Sequence, residues 1–134
     1  MQVFDGNGKY EAQWNNLHRP CALCCCGGGK SPIFVIGALG PAMPVNRKVP
    51  NLGPRLSIVD AKGKRIARLG GEDGPGLASG LAPHGIALDS KGDKYVGEVG
   101  VTDWKTNFPD EDMPTVVRTT RCLQKLQRVA EVPR

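Results

Sequence analysis

The sequence predicts an all-β fold of β-propeller type, about two and a half blades of four-stranded antiparallel sheet, and three recurring phrases predict it. Val3-Phe4-Asp5-Gly6-Asn7-Gly8-Lys9 returns as Ile58-Val59-Asp60-Ala61-Lys62-Gly63-Lys64. Pro20-Cys21-Ala22-Leu23 returns as Pro83-His84-Gly85-Ile86, and the strand core Phe34-Val35 returns as Tyr95-Val96. Different words recurring in one order at nearly one period are the mark of a repeat architecture, and the β-branched and aromatic content makes the unit one of strands. Four-stranded units of ~40–50 residues are propeller blades. The period here is longer, which requires a loop insertion in each unit.

Each element follows in order. Residues 2–5 and 9–13 form two strands joined by Asp5-Gly6-Asn7-Gly8, with the glycine and asparagine chemistry of a tight hairpin. Trp14 closes this unit. A short apolar run over 21–25 precedes the Gly27-Gly28-Gly29 turn. Residues 31–39, SPIFVIGAL, form the strongest strand; they are apolar without alternation, as a strand covered on both faces should be. Four prolines make 40–54 a loop. Residues 55–60 and 64–69 form the next hairpin, 70–80 a second loop, and 86–89 with 94–99 a third hairpin across Ser90-Lys91-Gly92-Asp93. Residues 102–114, with Trp104 and Phe108, read as a third loop, and 116–129 as a final strand-rich segment, although Val117, Cys122, Leu123, Leu126 and Val129 also fit a loose helical stripe. The expected division is the outer half of a blade over 1–16, a full blade over 17–72, and most of a third over 73–134.

Bulk composition narrows the function classes. The 134 residues are 40% hydrophobic and 23% charged, ordinary for one globular domain, and 18 glycines with 11 prolines favour turns over long helices. No stretch approaches the ~20 apolar residues of a membrane span. The opening MQVFDGNGKY has no basic region followed by an apolar core, so no secretory signal is read and a cytoplasmic setting is the default. It reads as the middle of a strand, so the chain is expected to be a fragment of a longer protein. The net charge is +5, with Arg118, Arg121, Lys125, Arg128 and Arg134 crowding the C-terminal end. A basic stripe can mark nucleic-acid binding, but no aromatic residues interleave with it, and a solvated strand face is the favoured reading.

Five cysteines, four of them within six residues, are expected to be reduced thiols. The run CCCGGGKS over 24–31 ends like a phosphate loop, but Cys24 stands where the first glycine belongs and Pro32 with a strand follows where a helix should open. Cys21 and Cys24 have zinc-knuckle spacing without a second pair, with His18 and Cys26 nearby. Alternation along a strand would turn the pair to opposite faces, so packed strand positions are favoured for them.

His84 is the principal candidate. It follows a proline, precedes a glycine, and sits where a loop enters the innermost strand of a blade, the position that faces a propeller's central channel. Neutral imidazole is the commonest metal ligand, though a lone histidine at a strand start is more often a hydrogen-bonded structural group. Cys21 holds the matching place one blade earlier. Glu98 ends the neighbouring strand and is the candidate to orient the histidine or hold a cation.

Taken in order, 17–23 (LHRPCAL), 49–57 (VPNLGPRLS), 82–89 (APHGIALD), 93–99 (DKYVGEV) and 123–126 (LQKL) resemble the NHL-repeat six-bladed β-propellers, and most closely the microbial branch similar to peptidyl-α-hydroxyglycine α-amidating lyase. The resemblance spans nearly the whole chain and implies the C-terminal end of such a protein. It implies zinc, or else calcium, in the central channel, with His84 as one metal ligand and Glu98 a supporting candidate. Alternate-blade ligation would explain Cys21 in place of a histidine. It further implies a metal-dependent carbon–nitrogen lyase that cleaves a peptidyl-α-hydroxyglycine, a small peptide-like substrate, to a peptide amide and glyoxylate. The family's other ligands and its catalytic tyrosine and arginine belong to blades not seen here, so the catalytic residues of this chain are unknown and its expected partners are the remaining blades or other copies of the chain. The alternative is a non-catalytic NHL propeller that presents a rim to protein or RNA.

Overall fold

The computed structural model of the chain describes residues 1–27, 31–40, 45, 49, 52–70, 82–119 and 121–129. The regular structure of the described residues is mostly β-strand, arranged as three antiparallel sheets. The first pairs β1 (Gln2–Phe4) with β2 (Tyr10–Gln13). The second is a four-stranded meander, β3 (Pro20–Cys26), β4 (Ile33–Ala38), β5 (Arg55–Asp60) and β6 (Arg65–Leu69). The third runs β7 (Pro83–Leu88), β8 (Lys94–Glu98) and β9 (Leu123–Leu126).

One turn is built three times. Asp5, Asp60 and Asp89 each accept, through Oδ1, the backbone N–H groups two and four residues ahead at 2.9–3.0 Å. In each, the fourth residue is a glycine, Gly8, Gly63 or Gly92, with φ of +81°, +76° or +82°. Aspartate suits the first position because its short carboxylate reaches its own backbone, and glycine suits the fourth because a side chain there is strained at positive φ. At Gly63 the space is also taken, since a Cβ would run into the Trp14 ring.

The middle sheet is covered on both faces, as its uniformly apolar β4 anticipates. Ile36 and Val59 pack with Trp14 below the first sheet, with Phe34 edge-on to Trp14 at 5.3 Å between ring centroids. On the other face Leu56 meets Val96, with Ile86 and Leu126 around them. Ile36, Leu56 and Val96 are fully buried. The approach of the second and third sheets is set by Gly37, where a Cβ would stand 2.6 Å from the Pro83 carbonyl oxygen and 3.1 Å from Ala22 Cβ and Ile86 Cδ1.

Two expectations are corrected. Into 102–114, read as loop, runs α1 (Gly100–Asn107). Its residues have middling helix propensity and no side chain caps its start, so local signals were weak. It is held by a backbone bond from Asp103 N–H to the Val99 carbonyl, by Thr106 Oγ1 donating to the Thr102 carbonyl, and by Trp104 stacking on Phe108 at 4.5 Å. The segment read as strand-rich over 116–129 begins instead with the short helix α2 (Thr115–Thr119), and only β9 is extended. The β-branched residues suggested strand, but the Pro114 carbonyl accepts from Val117 and Arg118 N–H groups, and Val117 is buried. Of the loops read over 40–54 and 70–80, residues 41–44, 46–48, 50–51 and 71–80 lie outside the described residues, as do residues 28–29 of the glycine turn and Arg134.

Candidate functional site

β3 and β7 open with the same construction. In β3 the ladder goes from Pro20 opposite Ala38 to Ala22 opposite Gly37, which leaves Cys21 as an extra residue. In β7 it goes from Pro83 opposite Glu98 to Gly85 opposite Gly97, which leaves His84 extra. A bulge of this kind bends the strand and re-aims one side chain. The sequence paired Cys21 with His84 by position, and the structure gives both the same backbone irregularity.

The two bulges meet. β3 and β7 pack side by side, and the Cys21 thiol donates to the Pro83 carbonyl at 3.1 Å, with the Gly37 carbonyl at 3.7 Å. Burial raises the Cys21 pKa, and Asp103 and Glu98 push the same way against Arg19. A thiol kept protonated is a hydrogen-bond donor; it is a poor nucleophile and a poor metal ligand. Arg19, just before the bulge, takes φ of +41°, uncommon outside glycine, and its guanidinium donates to the Gly40 carbonyl.

His84 itself is exposed. Glu98 is buried at 5% exposure, with Oε2 accepting the Ala82 N–H at 3.2 Å and Oε1 accepting from Gln124 Nε2 at 3.5 Å. Burial raises the Glu98 pKa, opposed by the Ala82 bond. The carboxylate therefore ties down the backbone two residues before His84, a task that the position of Glu98 at a strand end did not reveal.

The other sequence candidates separate. Cys24 Sγ lies 3.9 Å from the Cys25 carbonyl and Cys26 Sγ 3.4 Å from the Ile33 carbonyl, while Cys21 turns to Pro83. All five cysteines are free thiols. His18 lies in a separate pocket of about 280 Å3 with Arg55 and Leu52, and burial, then Arg19 and Arg55, lower its pKa. Among the described residues no three His, Cys, Asp or Glu side chains come together as a metal-holding group. Among the described residues His84 therefore stands outside any such group.

The basic stripe is also broken up. Arg118 lies on α2, Arg121 in the link that follows, and Lys125 on β9. Lys125 is spent internally, 2.8 Å from Asp93 Oδ2 and over the Tyr95 ring. Asp93 is almost fully buried, and its Oδ1 accepts the Arg128 N–H at 2.8 Å. The sequence showed Asp93 only as a turn residue; both of its partners lie far along the chain, on and just after β9. Among the described residues no helix is long and apolar enough to cross a membrane. Compared with protein-family models, with curated proteins and with solved structures, the chain matches none.

Proposed function

We propose that the chain is part of an NHL-type β-propeller of the amidating-lyase kind, in which His84 offers its imidazole to a metal ion at the inner ends of the strands. The observation that supports this reading is the repeated bulge at Cys21 and His84. It gives one re-aimed side chain per unit at the strand end where a propeller's channel would lie. Cys21, protonated and bonded to Pro83, serves as a structural member of the series, which fits ligation from alternate units. Glu98 acts on His84 through the backbone, by holding Ala82. The further ligands and the catalytic groups would come from the remaining blades or from other copies of the chain. The reaction is the cleavage of a peptidyl-α-hydroxyglycine to a peptide amide and glyoxylate.

The test is metal content by plasma mass spectrometry on the purified chain and on His84→Ala, with glyoxylate release from a peptidyl-α-hydroxyglycine measured alongside. Stoichiometric zinc or calcium lost in the variant supports the reading. Metal-free protein after reconstitution, with a variant identical to wild type, overturns it. A second reading, a non-catalytic propeller that binds RNA or protein, draws on the exposed cations Arg118, Arg121 and Arg128. It requires binding to an RNA or protein partner that survives His84→Ala; for RNA the affinity must also fall steeply with salt.

A further inference from the structure

The strands that meet at the bulges part at their other ends. There, between the second and third sheets, lies a cleft of about 600 Å3, within the range of small-molecule sites. Its wall is apolar: Ile33, Val35, Ile58, Ile66 and Leu88 line it. Ile66 is 55% exposed, a large aliphatic side chain left open to solvent beside this wall.

Among the described residues the rim is charged and predominantly positive. Lys91, Lys94 and Arg128 stand at it against a single carboxylate, Asp89. That carboxylate is already engaged, with Oδ1 accepting from Lys91 and Asp93 N–H groups and Oδ2 from the Tyr95 hydroxyl at 3.3 Å. Two of the cations, Lys94 and Arg128, are held in place. Lys94 Nζ donates to the Gly92 carbonyl at 3.2 Å, and the Arg128 backbone is fixed by Asp93. The Arg128 side chain lies against the turn at Gly92, with Cδ 3.4 Å from where a Cβ would be. An apolar trough with a cationic rim is complementary to a molecule with an apolar chain and an anionic head.

We infer that this cleft binds a fatty-acid-type amphiphile, its acyl chain along Ile58, Ile66 and Leu88 and its carboxylate between Lys91 and Arg128. The site lies at the far ends of the strands from His84 and does not rest on the lyase reading.

The probe is laurate below its micellar concentration, followed by titration calorimetry on the full chain. Laurate is expected to bind, decanoate to bind roughly 15-fold weaker for its two missing methylenes, and dodecyltrimethylammonium not to bind. The double variant Lys91→Glu/Arg128→Glu, shown folded by circular dichroism, is expected to lose about tenfold in laurate affinity, whereas His84→Ala should bind as wild type does. A second readout needs no variant. Cys26 lines the cleft, whereas Cys25 falls on the opposite face of β3, so laurate should slow alkylation of Cys26 and leave Cys25 unchanged. Equal affinity for the cationic amphiphile, an unchanged Kd in the folded double variant, or equal protection of both thiols overturns the inference.

Discussion

The second and third sheets are held by different means. The four-stranded sheet is sandwiched, with Trp14, Ile36 and Val59 on one face and Leu56 on the other, so apolar burial dominates it. The three-stranded sheet contributes two fully buried apolar residues, Val96 and Pro83, alongside two buried carboxylates, Asp93 and Glu98. Asp93 joins β9 to the β7–β8 turn through Lys125 and Arg128, and Glu98 joins β8 to the start of β7. A strand covered on both faces is held mainly by apolar residues of fitting size, even though β5 also buries Arg55 and Ser57, whereas a sheet with fewer apolar neighbours is fastened by specific polar bonds. The first sheet-building device is insensitive to pH, and the second is not.

The most severe break in this comparison is at the boundary between the two sheets. Gly37→Val places a side chain against the Pro83 backbone oxygen, which cannot swing away as a side chain could. It should destabilise the protein by about 3 kcal/mol or more, the upper range for overpacking, and thermal melting checks it. Retention of the wild-type Tm would mean that the sheets do not pack through Gly37. Next is Ile36→Ala, inside the sandwiched sheet. Ile36 is 0% exposed, and such truncations cost about 2–5 kcal/mol, measurable by urea denaturation. This loss should be the same at pH 4 and pH 7.

Much of this architecture could be read from the sequence, and the parts that could not share a cause. The Asp-x-x-Gly turns were legible because each is closed by atoms close together along the chain. The β4 strand was legible because its apolar run is continuous. The matched bulges were half legible: the Pro20 and Pro83 words marked the place, but a bulge is a relation between two strands and needs the partners Ala38, Gly37, Glu98 and Gly97 to be seen. α1 was missed because its support comes from Trp104 stacking on Phe108 more than from propensity; that aromatic pair, one helical turn apart, was the one signal that could have found it. The clasp at Asp93 was invisible because Lys125 and Arg128 lie far along the chain. The candidate site follows the same rule. His84 was found by its local word, while the job of Glu98 was not, because Ala82 is its neighbour only across a ladder.

The third sheet should respond to acid in a way that the second does not. Asp93's carboxyl is held below its ordinary value of 3.8 by the Lys125 bond first and the Arg128 N–H second. A depressed folded-state pKa means stability that is present above the unfolded value and lost as pH falls through the folded one. The acid limb of a stability–pH curve, below about pH 4, should therefore be shallower in Asp93→Asn, which has already lost the charge. Since Ile36→Ala leaves this clasp intact, its acid limb should keep the wild-type slope. Identical slopes in Asp93→Asn and wild type would remove Asp93 from the account.

Glu98 should give the smallest effect, with the opposite sign. Burial raises its pKa above 4.5, so the folded state takes up the proton more readily than the unfolded chain. The charged form is then a cost that is present at neutral pH and relieved as pH falls through the folded value toward the unfolded one. Asp93 and Glu98, in one sheet, thus oppose each other across the acid range, and the peak of stability should lie on the mildly acidic side of neutral. Glu98→Gln keeps an oxygen for the Ala82 N–H and removes the buried charge. It should change stability at pH 7 by less than ~1 kcal/mol, in the stabilising direction, consistent with exchanging one hydrogen-bond acceptor for another. It should also abolish the gain between neutral and mildly acidic pH. If Glu98→Gln instead lowers stability at every pH, the carboxylate's charge is being used, and a cation or a charged partner at the strand end beside His84 becomes the better account of why a glutamate is buried there.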